Sequence, residues 1–174
     1  MIFKMFLFSI FFMPLFFTYQ NKVFSEEKNI NNLDLISNET KDQFTTKDVE
    51  EFVQSAVNFA IENGKEGALK EFMNPNGSFK RGKKGELYIY AFDYKGTILA
   101  HGNKPNLVGL NLMNLKDSDG QYITKRLIQA STEKNHWVKY NWINPKSKKT
   151  EYKMGFVLKV DDTWMLGSGL YQTK

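Results

Sequence analysis

The apolar positions of the chain follow a helical spacing up to about residue 73 and an extended one from Leu87 onward. Val49, Phe52, Val53, Ala56, Val57 and Ala60 recur at helical intervals and share one face. Thr45 followed by Asp48 is a helix-start signature, and Gly64 is placed to cap the far end. Residues 66–73 predict a short second helix with Ala68, Leu69 and Phe72 inward, stopped by Asn74-Pro75-Asn76-Gly77. Beyond a basic loop (Lys80, Arg81, Lys83, Lys84), residues 87–92 read as one strand with Tyr88, Tyr90 and Phe92 on one face and Leu87, Ile89 and Ala91 on the other. Both faces are partly apolar, which predicts a central strand covered twice. Asp93-Tyr94-Lys95-Gly96 is a turn, and residues 97–101 return as the second arm of a hairpin.

Residues 102–117, with Pro105, Gly109 and four Asn, predict an ordered excursion across a face of the sheet. Asp119 is expected to cap a third helix whose inner side carries Ile123, Leu127 and Ala130. Strands are expected over 136–143, 151–160 and 164–171, joined by short turns at 144–149 and 161–163. The sum is an α+β domain: a long helix near the start of the domain, packed on a five-stranded antiparallel sheet.

The first 25 residues break this scheme. They hold eight of the fifteen Phe, a single early charge at Lys4, an apolar run from Met5 to Phe17 interrupted by Pro14, then polar residues and Val23-Phe24-Ser25. That order is the pattern of a secretory signal peptide, and the run is short of the roughly 20 residues a membrane-spanning helix needs. Cleavage after Ser25 is the expectation; an uncleaved membrane anchor is the alternative. Residues 26–44, rich in Asn, Asp, Glu, Lys and Ser, predict a flexible lead-in, leaving 45–174 as one domain. Loss of the segment would lower the net charge from +5 to +3, because Lys4 and Lys22 are its only charged residues. Export and that mild charge argue against nucleic acid as a partner. The absence of cysteine excludes disulfides, thiolate metal sites and thiol nucleophiles.

Catalytic patterns are weak. Gly167-Ser168-Gly169 lacks the spacing and the following helix of a nucleophile elbow. Asp117-Ser118-Asp119-Gly120 resembles part of a calcium loop, but aligning the glycine puts Leu115 and Arg126 at ligand positions. No metal or cofactor is expected, and no enzymatic activity. Lys153 interrupts a strand that is otherwise apolar further on. Its ammonium either snorkels to water or faces a polar-aromatic cavity, where it and phenolic hydroxyls would hold a carboxylate.

The span 87–171 resembles the single Cache domain, type 2, a PAS-like extracellular sensor module of bacterial chemoreceptors and histidine kinases. The resemblance rests on Tyr88-Ile89-Tyr90-Ala91-Phe92-Asp93 with Gly96 and Leu99-Ala100-His101, then Pro105-Asn106-Leu107-Val108-Gly109 with Asn111-Leu112 and Asp117-Ser118-Asp119-Gly120. It continues through Trp137-Val138-Lys139-Tyr140-Asn141-Trp142, Lys153 ahead of Phe156-Val157, and Trp164 with Gly167-Ser168-Gly169-Leu170-Tyr171. It implies a PAS-like sheet and a pocket for a small organic ligand, a short carboxylate above others. The implied pocket residues are Tyr88, Tyr90, His101, Tyr140, Trp142 and Lys153, beneath the segment 102–117. Where the family usually places a tyrosine three residues after the lysine, this chain has Phe156, which removes one expected hydroxyl. No membrane helix or output domain follows, so the chain looks like a free-standing form that buffers its ligand or presents it to a membrane receptor or kinase. The alternative is an interaction protein that keeps the fold with a filled pocket.

Overall fold

The computed structural model describes residues 44–172; the expected signal segment and all of the lead-in before Phe44 lie outside them. Helix α1 (Thr46–Phe72) begins with the expected capping box: the Asp48 N–H donates to Thr45 Oγ1 at 3.2 Å, and the Thr45 N–H donates to Asp48 Oδ2 at 2.6 Å. Gly64 (φ 72°, ψ 164°) interrupts it at the predicted break, so the two expected helical stretches run on as one kinked element. A β-carbon there would meet open space, so the left-handed backbone alone favours glycine.

Two strands follow as a small ribbon, β1 (Lys80–Arg81) with β2 (Leu87–Tyr88). The main sheet comprises β3 (Tyr90–Asp93), β4 (Ile98–His101), β5 (Trp137–Ile143), β6 (Thr150–Lys159) and β7 (Trp164–Tyr171), in the order β4-β3-β7-β6-β5 and antiparallel throughout. The strand expected over 87–92 is therefore divided at Ile89, whose carbonyl accepts from the Gly102 N–H instead of from a ladder partner. The basic stretch expected as a solvated loop contributes β1, where the half-buried Arg81 guanidinium lies 4.8 Å from the Phe52 ring centroid.

One sheet face packs on α1. There Val49, Phe52, Val53, Ala56, Ala68 and Phe72 meet Leu87, Ile89, Ala91, Phe156, Trp164 and Leu166, all buried. The other face meets α2 (Ile123–Thr132), whose Ile123, Leu127 and Ala130 are inward as the spacing predicts. Asp119 does not cap this helix. Its N-cap is Tyr122, without a side-chain bond, and Asp117 instead closes the preceding turn by accepting from the Asp119 and Gln121 N–H groups. The other carboxylate oxygen of Asp117 accepts from the Asn141 N–H on β5, so the turn is tied to the edge strand.

Between β4 and α2 the chain crosses the sheet through a 3₁₀ turn (Pro105–Leu107). It then runs along β4, bonded through Ile98 N–H to Leu110 O and Gly109 N–H to Ile98 O. This covers the outer edge of β4. Among the described residues no helix is long and apolar enough to cross a membrane.

Candidate functional site

On the α2 side of the sheet, tyrosines take the inward positions that phenylalanines and aliphatics hold on the α1 side. A cavity of about 20 Å³ lies there, roughly the space of a single water. Its wall includes five of the six residues expected for the pocket: Tyr88, Tyr90, His101, Tyr140 and Trp142. Leu112 and Leu115 of the crossing segment cover it, and Ile123, Thr124 and Leu127 of α2 close its far side.

The sixth, Lys153, sits directly behind that wall. It is fully buried, and its ammonium donates to Tyr88 Oη at 2.9 Å. The ammonium also lies 4.0, 5.4 and 5.0 Å from the ring centroids of Tyr88, Tyr90 and Tyr171, each an attractive cation–π distance. Of the two alternatives open for this lysine, a snorkelled surface position is therefore not the one adopted. Among the described residues no carboxylate pairs with it, and burial alone pushes its pKa down to about 7. Tyr88 Oη is 3.3 Å from Tyr171 Oη, which donates to the Ile143 carbonyl at 2.9 Å. A donor relay thus runs from Lys153 outward, leaving two of the three ammonium N–H bonds to be satisfied.

A second relay passes from Tyr140 Oη to Tyr90 Oη (3.5 Å) and on to the Ser168 carbonyl (3.4 Å). The Ser168 hydroxyl donates to the Tyr88 carbonyl at 2.7 Å and locks β7 to β2. Burial raises the pKa of all these phenols, that of Tyr88 to about 12, so they stay protonated as donors. His101 is held by its backbone surroundings. Its Nδ1 accepts the N–H groups of Asn103 (3.2 Å) and Lys104 (3.0 Å), so the neutral ring carries its proton on Nε2. Burial, and then the charges of Lys153 and Lys104, lower its pKa to about 3. The site thus gathers one cation, a network of phenolic hydroxyls and a neutral imidazole, chemistry that suits an anionic oxygen ligand beside the ammonium.

Phe156 does not line this cavity. It faces α1, packed on Trp137 at 5.0 Å between ring centroids, so a hydroxyl there would point into the apolar core. Its neighbour Gly155 matters more, since a β-carbon on it would lie 2.8 Å from the Tyr140 ring and 2.9 Å from Tyr90 Oη. Gly169 plays the same part for the lysine, as its β-carbon would meet the Met154 carbonyl at 2.3 Å and the Lys153 stem at 3.0 Å. Sequence reasoning read Gly167-Ser168-Gly169 as a failed catalytic motif and as part of the family resemblance, without seeing that Gly169 makes room for the lysine. Thr124 was also missed, because α2 was read for its apolar face alone.

The sequence profile of the family described as single Cache domain 2 matches residues 45–173. A curated relative, the sensor histidine kinase MctS of Rhizobium johnstonii, is 30% identical over 95 residues. The aligned region is 54% of this chain and only 20% of that kinase. Three solved structures share the fold. The methyl-accepting chemotaxis protein of Vibrio parahaemolyticus superposes with a TM-score of 0.63 at 23% identity, over 86% of this chain and 95% of that one. A periplasmic sensor domain of a chemotaxis protein gives 0.55 at 21% identity, over 71% and 88%. A Cache chemosensory domain described for carboxylic acid recognition gives 0.55 at 17% identity, over 88% and 98%. Cache domains are extracellular or periplasmic sensor modules that bind small molecules. Since the matched span takes in both helices and every strand of the described residues and the whole cavity, the chain belongs to the single Cache domain 2 family.

Proposed function

We propose that this chain is an exported, non-enzymatic sensor whose cavity takes a short carboxylate, with Lys153 supplying the charge. The observation that carries the reading is a fully buried ammonium with no acidic partner among the described residues, set against a cavity walled by phenolic hydroxyls and an imidazole. Such a charge is costly while unpaired, and a bound carboxylate offsets that cost. The cavity offers only about 20 Å³, so an acid of several atoms needs the crossing segment with Leu112 and Leu115 to move outward. That movement gives a bound state distinct from the empty one, which a membrane receptor or kinase can read.

Export is supported by the signal-like pattern of residues 1–25 and by the extracytoplasmic setting of the family. Mass spectrometry of the exported protein should give a chain starting at Glu26; one starting at Met1 in the membrane fraction would mean an anchor. For the ligand, a thermal-shift screen of short carboxylates, alcohols and amines is decisive, because a ligand at 100 times its Kd adds about 2.7 kcal/mol. Carboxylates are expected to raise the melting temperature. A response confined to amines would overturn the reading.

A further inference from the structure

Resting on that reading of the cavity, we propose that Thr124, at the amino end of α2, is a second anchor that selects acids carrying an oxygen in addition to the carboxylate. Thr124 is 1% exposed, lines the cavity, and its Oγ1 is buried without a hydrogen-bond partner. The same helix shows what a hydroxyl does when it can. Ser131 donates to the Ile128 carbonyl at 2.7 Å and Thr132 to the Gln129 carbonyl at 3.0 Å. Thr124 has no such recourse, because the residues three and four before it, Gln121 and Gly120, precede the helix in the turn that Asp117 closes.

A buried hydroxyl left without a partner forfeits its bond to water and gains nothing in exchange. Among the described residues two other buried polar atoms share that condition, Tyr94 Oη and Asn141 Nδ2, but neither residue lines the cavity. The first turn of α2 strengthens the case independently. No side chain caps it, and its residues Ile123 and Thr124 form the cavity wall. The Ile123 N–H donates to the Leu115 carbonyl at 3.1 Å, so what the helix start adds is the positive end of its dipole, which favours an oxygen acceptor beside Thr124. Apart from the aromatic side chains and His101, the wall beside Thr124 is apolar, made by Ile98, Leu112, Leu115, Ile123 and Leu127. A plain alkyl acid leaves the Thr124 hydroxyl without a partner. An acid with a second oxygen can supply one.

The test compares propionate with 2-hydroxypropionate and 3-hydroxypropionate by isothermal titration, on wild type, Thr124→Val and Thr124→Ser. Wild type should bind at least one hydroxy acid roughly 2- to 13-fold more tightly than propionate, the range of one neutral hydrogen bond. Thr124→Val should bring the affinities together, and Thr124→Ser should keep them apart. Without ligand, Thr124→Val should melt higher than wild type, because a methyl replaces an unpartnered hydroxyl. The proposal is overturned if wild type ignores the extra hydroxyl, if the preference survives in Thr124→Val, or if the ligand-free variant melts lower. Binding of propionate with no preference sinks this inference alone. Failure of wild type to bind any of the three acids sinks the carboxylate reading with it.

Discussion

The two faces of the sheet divide the alternate residues of 87–92 between them and serve opposite ends. On the α1 side, Leu87, Ile89 and Ala91 join a phenylalanine cluster in which Phe79 meets Phe52, Phe59 and Phe72 at 5.9, 5.2 and 4.9 Å between ring centroids. On the α2 side, the alternate residues Tyr88 and Tyr90 join Tyr140 and Tyr171 around Lys153. The phenylalanine rings of the first face have nothing polar to satisfy, and its buried Trp164 N–H is met by Asp161 at 3.0 Å, so little of its contribution to stability is offset. The second buries hydroxyls, an imidazole and an ammonium, each of which loses hydration on folding. A protein selected for stability alone would fill both faces alike. The difference is what the proposed function rests on, with the second face as the binding one.

The largest effect expected is on the apolar face. Phe52→Ala and Phe72→Ala remove rings that are 0% and 1% exposed, and each should cost about 3–5 kcal/mol of unfolding free energy. Denaturant midpoints measure this. A Phe72 variant that unfolds like wild type would show that the stretch of α1 beyond Gly64 contributes little to the core.

Lys153→Met should do the reverse on the other face. Deleting a buried, unpaired ammonium while keeping the stem's bulk should stabilise the ligand-free protein by about 1–4 kcal/mol, the range seen when buried charges give way to apolar side chains. The same change should weaken carboxylate binding roughly 10- to 150-fold, the value of one charge-assisted hydrogen bond. Chemical denaturation and calorimetric titration of one variant read both signs. If stability drops along with affinity, the ammonium is a structural member and the contrast between the faces disappears.

That contrast was half legible in the sequence. Alternation over 87–92 assigned Leu87, Ile89 and Ala91 to one side and the tyrosines to the other, and the structure keeps that assignment although the strand is divided at Ile89. A lysine in an apolar strand was visible too, yet a sequence cannot say whether such a lysine faces water or a cavity. What was not legible depends on close approach between distant strands. Gly155 faces Tyr90 and Tyr140, and Gly169 faces the Lys153 stem, through contacts that no local pattern encodes. Asp119 failed as a cap for a related reason, since Asp117 gained a tertiary bond to Asn141 and organised the turn around itself.

Smaller effects follow from pH. The pKa of Lys153 is lowered by burial to about 7, against about 10.4 in an unfolded chain. Between those values the unfolded chain holds more protons, so the stability of the ligand-free protein should rise with pH above about 7, by at most about 1.4 kcal/mol per unit. Above about pH 10 the trend should reverse, because the buried phenols ionise later than unfolded ones. At the acid end His101, lowered to about 3 by burial, makes stability fall as pH drops below about 6.5. Denaturant melts across this range check the profile, and in Lys153→Met the rise above neutrality should be absent. A bound carboxylate favours the charged lysine, so binding above about pH 7 takes up a proton and affinity should fall by up to about 10-fold per unit. A flat affinity profile would place the carboxylate away from Lys153.

The smallest effect belongs to Tyr140→Phe, which separates the charge from the hydroxyls around it. The Tyr140 hydroxyl donates to Tyr90 at 3.5 Å, the long end of the hydrogen-bond range, and Tyr90 keeps its own contact with the Ser168 carbonyl without it. Removing it leaves Tyr90 one donor short but strands no charge. Stability should therefore shift by only about 0.5–1.5 kcal/mol, and carboxylate affinity by no more than roughly 10-fold. The ring itself stays packed over Gly155, so the shape of the cavity is retained. Isothermal titration beside Lys153→Met gives the ranking. If Tyr140→Phe costs more than Lys153→Met, the ligand is held chiefly by neutral hydrogen bonds, and a neutral oxygen compound becomes the better candidate for this face.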